Sequence, residues 1–145
     1  MTQSVSKPSI DSRADLAEFI GDRSSEEIAR GIIDLGIDDV LESAFDAIAA
    51  RFVPERANGR TADVQWIIGS PFGTHPFVLR IREEGCKAET VEVEKPALTV
   101  RMDVADFMLF IAGRLDAITA FAGGRLRVRG DLTLAAGLER WFDYD

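Results

Sequence analysis

Apolar side chains recur three and four residues apart over the first third of the chain, then two apart, then three and four apart again. Leu16, Phe19 and Ile20 share one face of a short helix. Ser24 and Glu27 have the spacing of a capping box, which opens a second helix with Ile28, Ile32 and Leu35 on one stripe, and Gly36 stops it. Asp38 or Asp39 caps a longer helix reaching about Phe52, with Leu41, Phe45, Ile48 and Phe52 at helical spacing. Pro54 and the Asn58-Gly59 pair close this helical third.

The period then falls to two. Val64, Trp66 and Ile68 alternate with polar residues, a turn follows at Gly69, Pro71 and Gly73, and Phe77, Leu79 and Ile81 alternate with Arg80 and Arg82. Glu84-Gly85 marks a tight turn, the segment from Lys87 to Val93 has the composition of an exposed strand, and Pro96 precedes the alternation of Leu98, Val100 and Met102. Four strands joined by short turns predict an antiparallel meander with one wet face.

Helical spacing returns after Asp103, a good N-cap. From Val104 to Ala112 the sole polar side chain is Asp106. Gly113 breaks that helix, Asp116 caps a short one carrying Ile118 and Phe121, and Gly123-Gly124 ends it. Arg125 to Arg129 alternates as a fifth strand, and Asp131 caps a final helix with Leu134, Leu138 and Trp141 on one face. The class is α+β: a five-stranded, mostly antiparallel sheet with helices gathered on one face.

Charge narrows the partners. The chain carries a formal net charge of −8, and residues 1–59 hold 6 Lys+Arg against 12 Asp+Glu. Nucleic acid needs clustered cations, so it is not an expected partner, and anionic membrane surfaces are disfavoured for the same reason. The one cysteine, Cys86, allows no internal disulfide, which suits a cytoplasmic setting. The first nine residues hold no signal-type apolar run, and the longest apolar stretch, Phe107 to Ala112, is too short to span a bilayer.

Signs of chemistry are sparse. His75 is the one histidine and reads as a turn residue beside Pro76; Cys86 reads as an inert thiol. One of each is too few for a zinc-type site, so neither metal nor cofactor is expected. Gly123-Gly124 lacks the spacing and lysine of a phosphate loop, and no Gly-x-Ser-x-Gly elbow occurs. Arg125, Arg127 and Arg129 lie on one side of a strand and read as a solvated face paired with Glu92 or Glu94. What remains is apolar excess: Phe107, Met108, Phe110 and Ile111 cover more than one face of their helix, where a surface helix needs one stripe. A ligand pocket is one resolution and a homodimer interface the other. The predicted pocket residues are Trp66, Ile68, Phe77, Leu79, Met102, Phe107, Met108, Phe110, Ile111, Ile118, Phe121, Leu126, Leu134, Leu138 and Trp141.

The run Gly113-Arg114-Leu115-Asp116, Ala120-Phe121, Gly123-Gly124-Arg125-Leu126, Val128 and Gly130-Asp131-Leu132 resembles the C-terminal signature of the sterol carrier protein family. The resemblance covers about Asp38 to Phe142. It implies residues 38–145 as a lipid-binding domain whose helices and sheet enclose an apolar tunnel. Residues 10–37 would be an added helical extension and residues 1–9 a flexible tail. It also implies non-enzymatic carriage of a sterol, fatty acid, fatty acyl-CoA or similar lipid. The terminal helix from Asp131 to Phe142 is the expected gate, since no chain beyond it constrains it. Two other readings stand beside this one: an accessory or dimerisation module with a filled interior, and a small isomerase or cyclase using Asp106 as its pocket acid.

Overall fold

The computed structural model describes residues 13–143, with side chains described from residue 16 onward; the expected tail at 1–9 lies outside that range. Helices α1 (Arg13–Ile20), α2 (Ser25–Leu35), α3 (Ile37–Ala50) and the single turn α4 (Pro54–Ala57) come first. Strands β1 (Ala62–Ser70), β2 (Gly73–Arg82), β3 (Gly85–Glu89) and β4 (Leu98–Asp103) follow. Helices α5 (Val104–Ile111) and α6 (Ala117–Ala122), strand β5 (Arg127–Gly130) and helix α7 (Leu132–Leu138) complete the order, with a 3-10 turn at Glu139–Trp141.

The capping box forms as its spacing predicts: Glu27 N–H donates to Ser24 Oγ and Ser24 N–H donates to Glu27 Oε1. At α3 the expectation of an aspartate cap fails. Gly36, at φ 99°, takes the N-cap position, with Asp38 and Asp39 inside the first turn. The same glycine ends α2, so one residue serves both helices and leaves no room for a separate cap. Asp103 stands at the N-cap of α5 without a side-chain bond, whereas Asp116 and Asp131 accept from Thr119 N and Leu134 N as predicted.

The five strands run in the order β3-β2-β1-β4-β5. β1, β2 and β3 form an antiparallel meander, but β4 does not continue it; β4 pairs parallel to β1, with Val64 opposite Leu98 and Ile68 opposite Met102. The sheet is therefore mixed, with one parallel pair. A period of two reports which face a residue occupies, never which strand lies beside it, so the pattern could not reveal this crossover.

The crossover also corrects the wet face. After Glu89 the chain leaves the sheet edge and crosses the face away from the helices. There Gln65, 2% exposed, holds it: its Nε2 donates to Phe77 O at 3.1 Å and Val91 O at 3.0 Å, while its Oε1 accepts from Val93 N at 2.7 Å. Val91 and Val93 therefore bond a side chain, and β3 ends at Glu89 instead of Val93. Gln65, Ile67 and Val78 are buried on this face. Gly130 allows the close passage at β4: its φ is 116°, and a Cβ there would sit 2.5 Å from Ala97 O.

The helix-facing rows join Val64, Trp66 and Ile68 to Phe77, Leu79 and Ile81 and to Leu98, Val100 and Met102, all buried. Above them α5 explains the apolar excess in a way the sequence did not suggest. One side of α5 lies on β1 and β4, and α1 and α2 pack against α5 as well. Leu16, Ile20, Ile28 and Ile32 join Phe107, Met108 and Ile111 in one continuous core. Helices α1 and α2 thus pack on part of the surface for which a pocket or a dimer had been expected.

The C-terminal segment is not the loose gate expected. Val53 N donates to Trp141 O at 2.7 Å, Asp143 N to Arg51 O at 2.8 Å, and the Phe52 and Phe142 rings lie 5.5 Å apart. The Arg60 guanidinium stands 5.6 Å over the Trp141 ring. These bonds tie the chain's last turn to the exit of α3, even though nothing described follows it.

Candidate ligand cavity

α3 lies across the sheet with Phe45 turned fully inward. Its ring stacks on Phe77 at 4.6 Å and on Phe107 at 5.0 Å, and meets Trp66 edge-on at 5.8 Å. Phe110 stands 6.2 Å from Trp66 on the far side. Five aromatic rings therefore fill the space between α3, the sheet and α5. Beside this cluster, where α3 meets the β3 edge, a cavity of about 410 Å³ opens. Phe45 and Phe77 form its floor, Glu42 and Asp46 one wall, and Lys87, Ala88, Glu89, Thr90 and Val91 the other. The volume falls within the range of small-molecule sites.

The walls are charged unevenly. Glu89 is held by Arg80, whose Nε donates to Glu89 Oε1 at 2.6 Å; that bond keeps the Glu89 carboxyl below its ordinary range. Lys87 Nζ lies 3.8 Å from Glu89 Oε2. Glu42 and Asp46 have no ion-pair partner among the described residues. The rim is therefore net negative. In the ring cluster behind the cavity, Trp66 Nε1 is buried without a hydrogen-bond partner, an orphaned donor among apolar neighbours.

Of the predicted pocket residues, the cavity takes Phe77 directly. Trp66, Phe107 and Phe110 belong to the ring cluster one layer in. Ile68, Leu79, Met102, Met108, Leu126, Leu134, Ile111 and Trp141 are buried in the core, and Leu138 is partly buried against it. Ile118 and Phe121 were expected to face inward and do not; they are 83% and 56% exposed. Helix α6 approaches the core through Ala120 instead, whose carbonyl accepts from Arg125 N at 2.8 Å and Leu126 N at 3.1 Å. That close approach leaves no depth for a large side chain. The wall residues Glu42, Asp46 and Lys87 to Val91 were not predicted. Most of them are charged or exposed, so they give the cavity little apolar signal.

The remaining chemistry divides. Burial pushes the Cys86 thiol up to about 12, so it stays protonated. Asp106, the acid of the isomerase reading, is bound by Arg125, whose Nη2 donates to Asp106 Oδ1 at 2.6 Å. Arg125 therefore pairs with α5 instead of Glu92 or Glu94, and Asp106 is not a free pocket acid. His75 is not a turn residue. It lies within β2, opposite Ile68, with Nε2 2.9 Å from Ser70 Oγ and Nδ1 3.1 Å from Asp38 Oδ1. Among the described residues no group of three or more His, Cys, Asp or Glu could hold a metal ion, and no helix is long and apolar enough to cross a membrane.

The order β3-β2-β1-β4-β5 with helices on one face defines an α+β architecture, and the comparisons agree on its class. Residues 53–143 match the SCP-2 sterol transfer family. The chain belongs to that family. It is 25% identical over 100 residues to the hydroxysteroid dehydrogenase-like protein 2 of Xenopus laevis, covering 69% of this chain and 24% of that protein. The fold is shared with sterol carrier protein 2 like 2 of Aedes aegypti: its crystal structure has TM-score 0.58 and 24% identity, covering 72% of this chain and 98% of that one. The solution structure of the palmitated form has TM-score 0.53 and 25% identity, covering 66% and 87%. The stereoselective inverting sec-alkylsulfatase of Pseudomonas sp. has TM-score 0.61 and 20% identity, covering 70% of this chain and 16% of that one. The chain thus spans a quarter or less of the two larger proteins.

Proposed function

We propose that this protein binds and carries an apolar molecule in the cavity between α3 and the β3 edge. The observation that carries the reading is the floor of Phe45 and Phe77, two stacked rings at the base of an open space of about 410 Å³. Burying apolar ligand surface there stabilises by about 25 cal/mol per Å², with few polar contacts needed. The palmitated relative and the family match support a lipid as the ligand.

The rim refines the class. Glu42 and Asp46 place negative charge at the mouth of an acidic protein, which disfavours a carboxylate or phosphate headgroup. A neutral lipid such as a sterol or a neutral acyl ester fits better than a fatty acid anion or an acyl-CoA. Widening the mouth for a bulkier ligand requires the strap at Thr90–Val91 to move, since it is one wall and Gln65 is its latch. A cytoplasmic setting is in keeping with the single cysteine, which can form no internal disulfide.

Titration with a fluorescent sterol and a fluorescent fatty acid tests this. Saturable binding is expected for both, tighter for the sterol, and Val91→Trp should block it by filling the mouth. A second reading has its own support: relatives in which this fold is a quarter or less of the chain are larger proteins, where it would serve as an accessory or dimerisation module. No saturable signal with either probe would favour that reading and sink the carrier.

A further inference from the structure

Every described side chain in the helix-facing row of β2 beyond His75 is apolar: Phe77, Leu79 and Ile81. An imidazole in that row needs an account. Its side chain is 14% exposed and both ring nitrogens are engaged. The Asp38 carboxylate, itself 85% exposed, is a pure acceptor, so it selects the tautomer protonated at Nδ1. That leaves Nε2 as an acceptor facing Ser70 Oγ at 2.9 Å. The Ser70 hydroxyl has a second acceptor within reach, Gly73 O at 3.5 Å, but the shorter contact wins its proton. Phe72 N–H donates to the same oxygen at 3.1 Å and fixes its position at the mouth of the β1–β2 turn.

We propose that Ser70, His75 and Asp38 form a nucleophile, base and orienting carboxylate that accepts acyl groups from activated esters. Such a set is identified by geometry and roles, whatever the order of its members along the chain. Ser70 Oγ bonds to the ester's carbonyl carbon as its proton passes to His75 Nε2. The tetrahedral adduct then expels the alcohol oxygen, which takes that proton as the carbon–oxygen bond breaks. Water repeats the sequence, giving its proton to His75 and releasing the carboxylic acid and free Ser70. Asp38 orients the ring and steadies the imidazolium.

The site adjoins the cavity. Glu42 on the cavity wall lies one helical turn beyond Asp38, about 6 Å along α3. Phe77 on its floor is the next same-face residue after His75, about 7 Å along β2. An acyl chain seated on Phe77 would run toward the serine. Phe72 N–H is committed to Ser70 Oγ, so it does not serve the oxyanion. A missing oxyanion donor costs about 10²–10³ in rate. The reaction is therefore confined to activated esters and related acylating or phosphonylating reagents, with slow turnover.

The test is a fluorophosphonate probe on the full chain, read by intact mass and peptide mapping. One adduct is expected, on Ser70. It should be absent in Ser70→Ala and form about 100-fold more slowly in His75→Ala, the scale of a lost general base. Asp38→Asn, at an exposed position that does not endanger folding, should slow it about tenfold or more. The probe is short and needs no cavity, so failure of lipid binding would leave this result standing. No adduct, an adduct elsewhere, or labelling of Ser70 at an unchanged rate in Asp38→Asn or a folded His75→Ala would overturn the proposal.

Discussion

The two ends of the helical layer solve the same problem in opposite ways. At α5 the apolar surface exceeds what the sheet can cover, and the N-terminal helices cover the rest, leaving Phe107 and Met108 without exposure. At α3 the inward face is equally apolar, and α3 itself packs over β3 without closing the edge. The space there stays open between Glu42 on one side and Val91 on the other. Helices α1 and α2 close one flank. The other flank has only a strap held by a single glutamine. Closure by packed side chains and closure by a latch differ in what it costs to undo them.

That difference can be broken experimentally. The largest effect belongs to the packed flank. Phe107→Ala should cost about 3–5 kcal/mol in denaturant unfolding, and Val91→Ala, at a position 42% exposed, less than about 0.5 kcal/mol. Equal losses at the two sites would erase the distinction. Ile32→Ala should cost about 2–5 kcal/mol; a loss near zero would show that α2 is not part of the core.

The latch comes next. Gln65→Ala leaves Val91 O and Val93 N without their side-chain partner, at about 1–3 kcal/mol. It should also speed exchange of a bound fluorescent sterol in stopped-flow, and unchanged exchange would show that the strap is not the gate. Replacing Glu42 and Asp46 together by glutamine should raise affinity for a fatty acid anion several-fold at low salt, with the gain fading as salt rises. A gain independent of salt would point away from rim charge.

Acid should act on caps and surface pairs and leave the packed core alone. Glu27 is held below its ordinary range by its bonds to Ser24, Asp116 by Thr119 N–H and hydroxyl, and Glu89 by Arg80. Each folded carboxyl lies below its unfolded value. Their contribution is therefore present above the ordinary carboxylate range and lost as pH falls through and below about 4.5. Thermal melts across that window should show a steeper decline for the wild-type chain than for Ser24→Ala, whose Glu27 has lost its cap; parallel curves would count against this linkage.

Much of the fold was legible because its signals are local. The Ser24–Glu27 box, the caps at Asp116 and Asp131 and the alternation in β1, β2 and β4 each depend on neighbours a few residues away. The family signature around Gly113–Gly130 was legible for the same reason. Pairings at long sequence separation were not. Nothing in the alternation of Leu98, Val100 and Met102 says that β1 and not β3 lies beside it, because a strand's partner is set by where the connecting chain travels. The cavity escaped notice because its walls are charged. The Ser70–His75–Asp38 contact escaped because a lone histidine beside proline carries no pattern. Ile118 and Phe121 misled for the converse reason: apolar identity was read as inward direction, and the short α6 docks through Ala120.

The parallel β1–β4 pair also sets an order of events. β1, β2 and β3 can zip through tight turns as soon as they emerge from collapse, since each closes a short loop. β4 must wait until the strap has crossed the finished hairpin and found Gln65, and β5 waits on β4. Loop-closure entropy makes the β1–β4 pairing, across a sheet already half built, an expected slow step of folding. Until then the central strand offers an open edge to any passing chain.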